Sequence, residues 1–203
     1  MSAVFYDLLR HGLPVGGHRY RGQTDDPLSE RGWAQMWSAV GDECPWQRVI
    51  TSPLSRCRDF AYALGERHGV PVYEDPRLKE VRFGVWEGHT ALEIDAGDPG
   101  AVARFHADPV HHRPAGAEPL DAFAARVAEA WQDWAEPARR EPTLVVTHAG
   151  VVRAVMAEVL GIPLERLYRL QVANAGLTRI RLSDDRPATV MFHGGCLTPG
   201  GEG

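Results

Sequence analysis

Cysteine is scarce: three in 203 residues, Cys44, Cys57 and Cys196, an odd and unclustered set. That excludes a disulfide framework and fits reduced thiols in a cytoplasmic protein. No uninterrupted apolar segment approaches the ~18–20 residues of a membrane span, and no basic stretch precedes an apolar one at the start of the chain, so neither an anchor nor a secretory signal is expected. The formal charge of −5 leaves no basic stripe for nucleic acid. Against that background a local group of arginines marks a specific anion site. Repeats and low-complexity tracts are absent too.

Several catalytic signatures are also missing. There is no Gly-x-x-x-x-Gly-Lys-Ser/Thr loop, no Gly-x-Ser-x-Gly elbow and no His-Glu-x-x-His zinc helix. None of the cysteines has an arginine six positions later, and no Asp-x-Asp pair occurs. His111-His112 lacks cysteine or spaced carboxylate partners and reads as an exposed turn. The sequence therefore implies no metal and no cofactor.

Strand and helix patterns alternate in what remains. Residues 4–9 read as a strand and 11–28, rich in glycine, proline and charge, as a long functional loop. Ser29 is an N-cap for a helix carrying Trp33, Met36, Trp37 and Val40 on one face. Residues 49–51 form a short buried strand, and Ser52-Pro53 opens the next helix with proline in its first turn. Leu54, Cys57, Ala61 and Leu64 are its apolar stripe. From 71 to 116 the pattern loosens, broken by Pro99, Pro109 and Pro114, and residues 85–119 read as a small helical lid. Helices are expected at 120–134 and 151–160, and strands at 171–172, 177–182 and 189–192. Trp33, Trp37, Trp131 and Trp134 fall at helical spacing and read as packing residues. The alternation predicts one α/β domain over residues 1–193, a three-layer sandwich whose mostly parallel sheet has helices on both faces. Residues 194–203, with five glycines and a proline, are expected to form a flexible tail.

Two apolar runs end alike. Leu8-Leu9 leads into Arg10-His11-Gly12, and Leu144-Val145-Val146-Thr147 into His148-Ala149-Gly150. Both histidines thus fall at carboxyl ends of buried strands, where open α/β sheets bind ligands.

Leu9-Arg10-His11-Gly12, Thr51-Ser52-Pro53-Leu54-Ser55-Arg56, Leu78-Lys79-Glu80 with Phe83-Gly84-Val85-Trp86-Glu87-Gly88, and Val146-Thr147-His148-Ala149-Gly150 resemble the histidine phosphatase superfamily, which includes phosphoglycerate mutases. The blocks keep the family's order over residues 8–153. The loop from Tyr20 to Gly32 is similar to that of the small phosphatases that dephosphorylate α-ribazole phosphate in cobalamin synthesis. Leu13-Pro14 stand where a glutamate is common, and Phe60 where a threonine is frequent. Ala149-Gly150 replaces the Gly-Asn of cofactor-dependent mutases, and the stretch between Trp86 and Ala117 is short for a mutase's insert. The last two departures favour a phosphatase.

Phosphoryl transfer needs a nucleophile, a cationic clamp and an acid for the leaving oxygen. His11 is the candidate nucleophile: a neutral imidazole attacks through one ring nitrogen if the other donates to a backbone carbonyl, which fixes the tautomer. Arg10 and Arg56 are planar forks suited to phosphate oxygens. His148 stabilises equatorial oxygens, charged or as a hydrogen-bond donor, and the amino end of the helix near Pro53 adds partial positive charge. Glu80 is the candidate general acid, protonating the leaving alkoxide and then activating water. Asp7 lies within a strand, and Asp25-Asp26 precede Pro27 in a turn where aspartates often serve the backbone. Gly12, Arg21, Gly22 and Gln23 are expected on the substrate side of the loop. Together these residues describe metal-independent hydrolysis of a small phosphorylated metabolite such as α-ribazole 5′-phosphate. A mutase, a broad-specificity sugar-phosphate phosphatase and a non-catalytic phosphate-binding module are the alternatives. Nothing in the sequence sets an oligomeric state.

Overall fold

A computed structural model of the chain describes residues 3–136 and 140–195. Its six strands are β1 (Val4–Arg10), β2 (Arg48–Thr51), β3 (Val72–Glu74), β4 (Thr143–Thr147), β5 (Leu177–Leu182) and β6 (Thr189–Gly195). They form one sheet in the order β3-β2-β4-β1-β5-β6. The pairs β2/β3, β2/β4 and β1/β4 are parallel; β1/β5 and β5/β6 are antiparallel. The expected α/β architecture is what forms.

Alternation along the strands builds two cores. Tyr6, Leu8, Ile50, Val145 and Ile180 face a layer that includes Phe123, Val127 and Ala130 of α5 (Leu120–Trp134) and Val151, Val152 and Val155 of α6 (Ala149–Leu160). Leu9, Val49, Leu144, Val146 and Leu177 face Met36 and Val40 of α1 (Glu30–Val40) and Cys57, Phe60, Ala61 and Leu64 of α2 (Ser55–His68). A strand buried on both faces has no polar side to show, which is why these runs read as continuously apolar. Between Glu80 and Leu120 the chain makes two short helices, α3 (Ala91–Gly97) and α4 (Ala101–Ala107). Phe105 of α4 packs on Tyr20, Phe83, Trp86 and Tyr168 and ties this helical segment to the sheet layer.

Four local expectations need correction. Pro53 precedes α2 rather than lying inside it: the N-cap is Leu54, and Ser55 N–H donates to Asp25 Oδ1 at 2.7 Å. A loop aspartate caps this helix, so its positive end is taken by a carboxylate. Residues 171–172 form no strand, because side chains occupy the carbonyls a ladder would use: Arg10 binds Val172 O and His193 binds Gln171 O. The edge strand β3 lies in the stretch read as irregular. At the C-terminal end, β6 runs to Gly195, so the first two residues of the expected tail are strand; residues 196–203, with Cys196, lie outside the described residues. Among the described residues no helix is long and apolar enough to cross a membrane.

Candidate active site

Three neighbouring parallel strands end together. Register pairs Arg10 with Thr147 on β1 and β4, and Thr51 with Val146 on β2 and β4. The next residues, His11, His148 and Ser52, therefore leave the sheet side by side. Backbone bonds from His11 N–H to Thr147 O at 2.9 Å and from Ser52 N–H to Val146 O at 3.1 Å carry the ladder up to the site. The two imidazole centroids are 5.3 Å apart, edge to face.

His11 is 6% exposed, and its Nδ1 lies 2.8 Å from Gly12 O. A carbonyl only accepts, so Nδ1 carries the proton and Nε2 keeps the lone pair. Burial, then Arg56, then Arg10, push the His11 pKa well below the usual histidine value and hold the ring neutral. His148 is fully buried, and its pKa is lowered in the same way by burial first and Arg56 next. In the unliganded site it is thus a neutral hydrogen-bonding group rather than a cation. Its Nε2 lies 2.8 Å from Ser52 Oγ. Cys57 Sγ, 3.6 and 3.7 Å from the two ring nitrogens, lies against the ring face. Burial pushes that thiol up and keeps it protonated.

Both arginines are anchored at their tips. Arg10 donates from one terminal nitrogen to Val172 O at 2.6 Å; Arg56, 1% exposed, donates to Thr24 O and Gly22 O at 2.8 Å each. In each, Nε is shut off from solvent with no partner among the described residues. A buried guanidinium N–H left unpaired costs about 1–3 kcal/mol or more. Burial and the nearby Arg153, Arg56 and Arg21 lower the Arg10 pKa to about 10, Glu80 acting the other way. Arg10 still carries its charge at neutral pH.

Glu80 reaches the cluster from the other side. Its Oε2 accepts from Gly150 N–H at 3.1 Å, in the first turn of α6, and its Oε1 from Val81 N–H at 2.9 Å. Arg126 of α5 binds the carbonyls of Lys79 and Glu80, Thr147 binds Leu78 O, and Gln23 Nε2 donates to Glu80 O.

The loop residues serve as braces in this structure, and Arg21 also lines the cavity beside Arg10. Gly12 holds the His11 ring, and Gly22 and Gln23 steady Arg56 and Glu80. Arg21, 8% exposed, spends its guanidinium on Asp26 at 2.9 Å and on Val15 O and Gly17 O at 2.6 Å. It folds the loop and lies close enough to lower the Arg10 and His11 pKa values. Asp25 and Asp26 serve a helix end and an arginine; Asp7 is buried in an ion pair with Arg179. Ser52 escaped the sequence reading, although its place one residue past a strand end was a usable signal. His111 pairs with Asp108 in a turn, and among the described residues no group of three or more histidine, cysteine or acidic side chains could hold a metal.

Comparison with known proteins agrees with this geometry. Residues 7–193 match the histidine phosphatase superfamily, branch 1. The glucosyl-3-phosphoglycerate phosphatase of Mycobacterium tuberculosis is 37% identical over 189 residues, 85% of this chain and 83% of that protein. An adenosylcobalamin/alpha-ribazole phosphatase of Salmonella typhimurium is 29% identical over 170 residues, 81% of this chain and 84% of that one. Among solved structures, a mycobacterial glucosyl-3-phosphoglycerate phosphatase superposes with a TM-score of 0.83 at 30% identity, covering 96% of this chain and 100% of its own. Paired histidines at adjacent strand ends, two buried arginines and a family match over almost the whole chain lead to one statement: the protein belongs to the histidine phosphatase superfamily and is a phosphatase of that type.

Proposed function

We propose that the chain hydrolyses small phosphorylated metabolites through a phosphohistidine on His11, without a metal ion. The observation that carries this reading is the fixed His11 tautomer: Nδ1 is committed to Gly12 O, and Nε2 is neutral beside two arginines with unpaired Nε–H groups. Nε2 attacks phosphorus in line, the ester P–O bond breaks, and Glu80 gives its proton to the departing alkoxide. Arg10, Arg56 and His148 take the charge on the equatorial oxygens. Glu80, now a carboxylate, removes a proton from water as the oxygen attacks phosphorus. The N–P bond then breaks and inorganic phosphate leaves.

Identity orders the candidate substrates. The glucosyl-3-phosphoglycerate phosphatase relative stands at 37% and the alpha-ribazole relative at 29%, which supports a phosphorylated sugar acid ahead of α-ribazole 5′-phosphate. The protein acts as a soluble cytoplasmic enzyme. Rapid acid quenching with a ³²P-labelled phosphomonoester tests the mechanism. Acid-labile label on His11, absent in His11→Ala and unaffected by EDTA, is the expected result. No label would favour a phosphate-binding module, and label passed to an acceptor sugar instead of water would favour a mutase.

A further inference from the structure

Beside Arg10 lies a cavity of about 210 Å³ lined by Pro14, His18, Tyr20, Ala91 and Asn174 among others. That is smaller than the ~300–1,000 Å³ typical of drug-sized ligands and suits a small leaving group. It shares Arg10 with the phosphoryl clamp, which makes it the candidate place for the rest of a substrate whose phosphoryl group sits on His11.

Asn174 is the unexplained member of this wall. Its Nδ2 is shut off from solvent and has no hydrogen-bond partner among the described residues. The next residue, Ala175, has φ of +53° and is the one non-glycine with positive φ among the described residues. Left-handed backbone is unfavourable for alanine. The turn is strapped to the catalytic strand on both sides: Val172 O accepts from the Arg10 side chain at 2.6 Å, Arg10 N–H donates to Gly176 O at 3.1 Å, and Ala175 N–H donates to His11 O at 3.3 Å. A strained turn therefore holds an amide nitrogen without a partner among the described residues at a fixed place relative to the nucleophile. Such strain concentrates at functional sites.

The surrounding chemistry sets what the amide meets. Arg19 is anchored to Gly16 O and Gly88 O with Glu93 at 3.5 Å, and Asp26 is taken by Arg21. Tyr20 Oη is engaged with His106. The wall thus offers donors and cations, with its nearby carboxylates already paired, and an acceptor on the substrate completes it.

We propose that Asn174 contacts the substrate, donating from its carboxamide to an oxygen of the leaving group, and that the chain selects phosphomonoesters of oxygen-bearing aliphatic alcohols, sugar or hydroxy-acid phosphates, over aryl phosphates. This deepens the phosphatase reading and rests on it. The test compares kcat/KM for 3-phosphoglycerate, glycerol 3-phosphate and phenyl phosphate in wild type, Asn174→Leu and Asn174→Ala. Leucine keeps the volume and removes the polar group; alanine serves if leucine disturbs the fold. The ratio of either aliphatic substrate to phenyl phosphate is expected to drop about 10- to 100-fold, the effect of one lost hydrogen bond. A drop for 3-phosphoglycerate alone identifies a carboxylate as the acceptor, and a drop for both a hydroxyl. Ratios unchanged within about threefold, whether all three rates fall or none, would overturn the assignment. Wild type that hydrolyses none of the three and also takes up no acid-labile label on His11 would instead sink the hydrolytic mechanism on which the assignment rests.

Discussion

Gly150 and Glu80 meet where the first turn of α6 approaches the site. A Cβ added at Gly150 would overlap the Glu80 carboxylate and press on Phe123. The carboxylate is the end of a flexible side chain and swings away, whereas the helix backbone stays. Alanine is also the better helix former, by roughly 0.5–1 kcal/mol. Gly150→Ala is therefore expected to keep its melting temperature within a few degrees while kcat falls by about 10²–10⁴, the usual weight of a general acid. Steady-state kinetics beside a thermal melt separate the two. A variant with full activity would show that Glu80 has no part in proton transfer. The same geometry explains why the sequence could single out Glu80 but not its partner. A carboxylate in a recognisable block is visible in one dimension, whereas the N–H it docks on lies seventy positions away and is set by the fold.

At the scale of elements, the mouth of the site depends on two backbones in near contact. Ser29 caps α1, accepting from Gly32 N–H at 3.0 Å and donating to Leu13 O at 2.7 Å. A Cβ on Gly12 would overlap the Gly32 carbonyl, and one on Gly32 the Leu13 carbonyl. Backbone cannot step aside as a side chain does. Gly32→Ala should therefore lift the 12–13 turn off α1, misplace Gly12 O and loosen the His11 ring, costing about 1–3 kcal/mol and at least tenfold in kcat. Denaturant melts and phosphate release measure both; an unaffected enzyme would mean that the turn tolerates displacement. Elements with a strong local signal were legible: the apolar runs of β1 and β4, the Ser29 cap and the stripe of α5 required no tertiary knowledge. Others were not. Asp25 capping α2, side chains diverting the carbonyls of residues 171–172, and the three-residue β3 are long-range events that outweigh local propensity. Arg21 shows the same limit, since its charge was visible and its commitment to Asp26 and two loop carbonyls was not.

For the whole molecule, the buried histidines couple the site to stability. His11 and His148 are both held well below the ordinary 6.5 by burial and by Arg56. Above about pH 6.5 they are neutral in folded and unfolded chains alike, and stability is full. As pH falls below that value the unfolded chain takes up protons that the folded chain refuses, so folding weakens toward the folded-state pKa values. Each histidine contributes a slope of up to about 1.4 kcal/mol per pH unit in that window. Urea unfolding between pH 7.5 and 5 should show the decline, and His11→Asn or His148→Gln should each flatten it by about one histidine's share. If both variants kept the wild-type slope, these rings would be titrating in the native state and His11 would not be the neutral nucleophile. The arrangement that leaves a lone pair on Nε2 at neutral pH also weakens this fold in acid. Between the unfolded and folded pKa values the native rings stay neutral, so stability is expected to decline at a higher pH than the activity of the folded enzyme.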